Sequence, residues 1–108
     1  SMAVNAFLWR ASLDTVSFIP LDIVDPIGGV ITTQWYEDTD NSNERIKLTI
    51  YVKDRRLRAD GLSVSVFRET RETESWIKAD TNPDTARLVE ASILTKAREL
   101  RIGTLGNS

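Results

Sequence analysis

The hydrophobic period of this chain changes from helical to two and back again, and that switch limits the folds open to it. In the middle, Ile46, Leu48, Ile50 and Val52 alternate with Lys47, Thr49, Tyr51 and Lys53. Successive strand side chains point to opposite faces, so this run predicts a strand over 45–53 with one aliphatic and one polar face. Leu62, Val64 and Val66 against Ser63, Ser65 and Phe67 predict another over 62–69, continuing towards Arg71. Val30–Glu37 predicts a strand before these and Ser75–Ala79 a short one after them. The polar stretch 38–43, the segment 54–61 and Glu72-Thr73-Glu74 read as connections between them.

The two ends are helical in period. Val4, Phe7, Leu8, Ala11 and Thr15 predict a helix over 3–16, stopped because Pro20 disfavours a helical Ile19. Residues 17–29 read as irregular, with Asp25-Pro26-Ile27-Gly28-Gly29 as a turn whose glycines permit positive φ. Near the other end, Asn82 is a good N-cap, Pro83 suits the first helical position and Asp84 complements the helix dipole. Ala86, Val89, Ile93, Ala97 and Leu100 form one stripe, and Gly103 is expected to end the helix. The expected fold is therefore α+β. It is one two-layer domain over 3–103, with a four-stranded antiparallel meander carrying the N- and C-terminal helices on its aliphatic face. Ser1-Met2 reads as an expression scar and 104–108 as a frayed tail.

Composition narrows the chemistry. The 108 residues include neither cysteine nor histidine, which excludes disulfides, thiol nucleophiles, Cys/His zinc sites and His-dependent triads. A net charge of −2 is too balanced to predict nucleic-acid binding from bulk electrostatics. No apolar run reaches the ~18 residues a membrane-spanning helix needs. The expectation is a protein that is not an enzyme and carries no metal or cofactor.

Four groups of residues invite a functional reading. Asp22 and Asp25 lie near a Gly-Gly turn, where paired carboxylates suit acid–base work or a hard cation but also suit turn capping. The stretch 37–44 has alternating oxygen ligands, yet it lacks a calcium loop's central glycine and is too short for its terminal glutamate. Arg55, Arg56 and Arg58 form the only basic cluster, a possible contact for an anion or lipid surface that Asp54 and Asp60 dilute. Tyr36, Tyr51, Ser65 and Phe67 are the best interaction surface, because an aromatic in the polar phase of a strand marks a binding face. Gly28-Gly29 precedes a strand, so it is no phosphate loop.

Several stretches also carry a family resemblance. They are the run from Val4 through Trp9-Arg10 to Thr15, Asp25-Pro26-Ile27-Gly28-Gly29-Val30, Trp35-Tyr36, Arg58-Ala59-Asp60-Gly61, Val64-Ser65-Val66-Phe67-Arg68 and Ile93-Leu94-Thr95-Lys96-Ala97-Arg98. Over residues 4–102 the chain resembles the alphaproteobacterial domain-of-unknown-function family described as predicted outer-membrane lipoproteins. The stretch 38–43 departs from that family's Pro-containing loop. The helix–sheet–helix order is also similar to small domains of a lipoprotein subunit of the outer-membrane β-barrel assembly machine, in architecture alone. The resemblance implies the periplasmic side of the outer membrane, with a tether through an N-terminal lipidated segment. It also implies an envelope protein, or a second copy, as partner on the open sheet face or an edge strand. The alternative is a carboxylate-dependent enzyme on cell-envelope sugars, which would need Asp22, Asp25 and Asp60 brought together.

Overall fold

Asn5 starts the first helix: its side chain accepts hydrogen bonds from the amides of Phe7 at 3.0 Å and Leu8 at 2.9 Å. In the computed structural model, which describes residues 4–106, helix α1 then runs Ala6–Thr15. The sheet follows as β1 (Leu21–Asp25), β2 (Val30–Thr33), β3 (Tyr36–Asp38), β4 (Asn41–Val52), β5 (Leu62–Glu72) and β6 (Ser75–Ala79). A single 3-10 turn, Ala59–Gly61, leads into β5, and helix α2 closes the chain over Pro83–Gly106. The α+β class and the antiparallel sheet between terminal helices agree with the pattern reading. The strand number does not: the described residues form six strands, not four.

Each extra strand has a local cause. The single strand expected over 30–37 is two strands, broken at Gln34-Trp35. There Thr33 Oγ1 accepts the Leu48 amide at 3.0 Å and donates to the Gln34 carbonyl at 2.8 Å. A side chain thus takes over one rung of the β4 ladder, and the chain re-pairs as β3 with Tyr36 opposite Ile46. Strand β1 lies inside the stretch expected to be irregular. It is short, bounded by Pro20 and Pro26, and shows no alternation because it is an edge with Ile23 and Val24 both exposed. The acidic loop shrinks to a tight turn at Thr39-Asp40, and β4 begins at Asn41.

The sheet order is β1-β2-β4-β5-β6, with β3 also pairing β4. The core is its aliphatic face. Ile31, Ile50 and Val64 lie in register across three strands, with Leu48, Val52 and Leu62 beside them. Leu8, Ala11 and Val16 of the first helical segment and Ile93 and Ala97 of α2 close over that face. Ala11 and Ala97 are both fully buried in this cluster, and α1 and α2 pack against each other. The Asn5 amide donates to the Asp54 carbonyl at 2.8 Å and its side-chain amide to the Arg55 carbonyl at 3.1 Å, which ties α1 to the β4–β5 connection. Helix α2 does not end at Gly103 but runs on through Thr104, whose hydroxyl donates to the Leu100 carbonyl. The start of the expected frayed tail is therefore helical as far as Gly106. The presumed scar and residues 107–108 lie outside the described residues.

The β5–β6 hairpin turns through Thr73-Glu74, with Thr73 at φ +57°. A β-branched residue is disfavoured there and glycine is not. Thr73→Gly should raise stability by about 1 kcal/mol, read as a higher Tm in thermal melts. A lower Tm would show that the turn is relaxed as it stands.

Candidate functional site

Among the described residues, the second face of the sheet carries no helix. Cross-strand registers put Arg45 opposite Glu69, Lys47 opposite Phe67, Thr49 opposite Ser65 and Tyr51 opposite Ser63 on this face. Lys78 lies opposite Glu69, and Trp76 opposite Arg71, one strand further out. On this surface aromatic rings and cations alternate. Lys47 Nζ lies 5.6 Å from the centre of the Phe67 ring and 4.9 Å from that of Trp35. The Arg45 guanidinium sits 4.6 Å from Trp35 and 4.3 Å from Trp76, and Arg71 sits 4.6 Å from the same Trp76 ring. The result is one continuous row: Phe67, Lys47, Trp35, Arg45, Trp76, Arg71. Each exposed contact of this kind contributes about 0.5–1 kcal/mol. The row thus holds long side chains in place where no second layer covers them.

Electrostatics make the face distinct from the rest of the molecule. Arg45, Lys47, Arg71 and Lys78 stand on it with Glu37, Glu69 and, at the β1 edge, Asp25, in a chain whose overall charge is −2. Arg45 meets Glu69 through Nε at 2.7 Å and Nη2 at 2.5 Å. Lys47, Arg71 and Lys78 make no ion pair among the described residues. A groove of about 520 Å³ crosses the face from Trp35 past Lys47 and Phe67 to Lys78 and Thr81.

Of the expected interaction surface, Phe67, Ser65 and Tyr51 do share this face, Phe67 and Tyr51 with 45% and 41% of their surface exposed. Tyr36 does not. Its register with Ile46 turns it to the helix side, where its ring meets Phe18 edge-on at 5.5 Å. The expected basic cluster is largely neutralised within its own turn. Arg56 pairs with Asp54 and Arg58 with Asp60, leaving Arg55 without an ion pair among the described residues. Hydrogen bonds from the Arg56 side chain and amide hold the Asp54 carboxyl down at about 2 and raise the Arg56 guanidinium in turn.

Of the candidate carboxylates, Asp25 and Asp60 are turn and pair residues, and Asp22 lies in edge strand β1 at its irregular register. Asp25 Oδ1 accepts the amides of Ile27 at 3.0 Å and Gly28 at 2.9 Å, and Asp60 faces Arg58. Asp38 and Asn41 cap their own turn in the same way. Trp35, Arg45, Arg71 and Trp76 were not singled out together by the sequence. Trp35 falls in a strand break, and 31 positions separate Arg45 from Trp76.

Comparison with known proteins gives a family and no activity. Residues 2–102 match the family described as "Domain of unknown function (DUF3576)". The chain is 39% identical over 102 residues to an uncharacterized protein, RP420, of Rickettsia prowazekii (strain Madrid E), covering 94% of this chain and 61% of that protein. The chain thus spans less than two thirds of that relative's length. No solved structure matches.

Proposed function

Because the chain belongs to this domain-of-unknown-function family, whose name carries no activity, we propose a function from the open sheet face: the domain is an interaction module that holds an anionic partner protein there. The observation that carries this reading is the row of Phe67, Lys47, Trp35, Arg45, Trp76 and Arg71. Aromatic and arginine anchors are the residues that dominate protein interfaces. Trp35 and Trp76 each already contact two cations, so they are poor platforms for nucleobases, which bind by stacking on ring faces. Carboxylates of a partner instead reach the cations from outside the row. The envelope location belongs to this reading through the family resemblance. A precursor bearing a signal peptide and a lipid-acceptor cysteine would support it, and one lacking both would remove it.

Polyglutamate is a suitable probe, read through tryptophan emission because two of the three tryptophans stand in the row. Polyglutamate should change the emission saturably at low salt, and the change should vanish by about 0.5 M salt as the charges are screened. Lys47→Glu with Arg71→Glu should weaken binding about tenfold or more, since each variant replaces attraction with repulsion. Unaltered binding by the double variant would overturn the reading.

A further inference from the structure

Strand β6 covers only part of its neighbour. It pairs with β5 from Arg68 to Glu72 and stops at Ala79, so among the described residues Leu62–Phe67 of β5 have no strand on that side. The Val64 amide points outward there, and the Glu90 carboxylate, reaching from α2, accepts it at 2.9 Å. The two-residue period of a strand turns the Val66 amide the same way, with no strand beyond it. Open edges of this kind are pairing templates, and proteins commonly blunt them with a charged side chain. The other edge, β1, is guarded differently, by Pro20, Pro26 and an irregular register at Asp22.

The groove on the open face ends at this gap. Its walls there are Val66, Phe67 and Arg68 of β5, and Lys78, Ala79, Asp80 and Thr81 where the chain leaves β6. We infer that this gap is a strand-addition site for an extended peptide of a partner protein, in which acidic residues alternate with small apolar ones. The inference rests on the anion-binding reading of the open face and adds the mode of binding. Main-chain hydrogen bonds to β5 would supply affinity, and alternate side chains would supply specificity. One phase of the incoming strand meets Lys47, Phe67 and Lys78, where Lys47 and Lys78 lack acidic partners among the described residues. The opposite phase meets Val66 and Ala79 on the helix side and calls for small apolar groups. Glu90 is the plug that such a strand displaces.

The test uses an eight-residue peptide alternating valine and glutamate, and the same peptide with alternate amides N-methylated, followed by amide chemical shifts. The plain peptide should move the Val64, Val66 and Phe67 signals and protect the Val66 amide from exchange. Methylation should weaken binding about tenfold, the effect of losing one or two backbone hydrogen bonds. Glu90→Ala, which frees the edge, should tighten binding severalfold. Equal binding of the methylated peptide would overturn strand addition. So would shifts confined to Arg45, Arg71 and Trp76, a result that leaves the anion-binding reading standing. Self-association of Glu90→Ala without peptide, seen in sedimentation, would make a second copy the occupant and overturn the partner peptide. Failure of polyglutamate to bind the unaltered protein is the separate result that removes the face reading itself.

Discussion

Gly29→Ala should lose about 2–6 kcal/mol of stability, a large fraction of what a domain of this size has. Two effects add. Gly29 sits at φ +73°, where an L side chain is strained by about 1–3 kcal/mol. A Cβ at this position would also lie 2.1 Å from the Val52 carbonyl oxygen and 2.9 Å from Val4 Cγ1. The first contact is with backbone, so relief requires moving β2 away from β4, and overpacking of that kind adds about 1–3 kcal/mol. The strands have little room to part, since the Val52 amide donates to the Gly29 carbonyl at 2.8 Å and the Gly29 amide donates to the Asp25 carbonyl at 2.8 Å. Gly103→Ala is the matched control. Among the described residues nothing lies within 4 Å of its added carbon, and alanine is the better helix former by about 1 kcal/mol, so this variant should be slightly stabilised. Urea unfolding of both variants measures the contrast, and equal midpoints would refute it.

Ile50→Ala should destabilise by about 2–5 kcal/mol. Ile50 is fully buried, lies between Ile31 and Val64 in the sheet, and is roofed by the two helices. Truncation leaves a space that rigid strands on either side cannot fill, so the lost transfer energy and the unfilled cavity both count. Tyr51→Ala, one residue on but on the open face, should cost far less, because that ring is 41% exposed. Chemical denaturation of the pair reads the difference between faces. A similar loss in both would mean that the open face is as tightly packed as the covered one.

The contrast between adjacent residues of β4 also explains what was legible in the sequence. A two-residue period along 46–53 identifies a buried and an exposed face without any tertiary information. Asn82-Pro83-Asp84 likewise marks a helix start through local chemistry alone, and α2 begins at Pro83. Strand β1 was illegible because an edge strand exposed on both sides has no reason to alternate. The break between β2 and β3 was illegible because it depends on the Thr33 hydroxyl meeting an amide 15 positions away. The candidate site falls between these cases. The phase of Phe67, Ser65 and Tyr51 could be read along their own strands. The position of Tyr36 could not, since two irregular residues before it reset the phase. The stacking of Arg45 between Trp35 and Trp76 exists only once β4, β5 and β6 are in register.

The tie between Asn5 and residues Asp54 and Arg55 has a kinetic side. It joins positions 50 apart in the chain, whereas the β5–β6 hairpin closes over a few residues. Loop-closure entropy grows with the segment enclosed, and contacts of long sequence separation slow folding. The capping Asn5 has one part of its bonding purely local, to Phe7 and Leu8, so α1 can form early as a helix. Its docking needs the β4–β5 connection in place, because Asp54 and Arg55 supply the accepting carbonyls. Until that tie closes, Leu48, Ile50 and Val52 have only part of their cover.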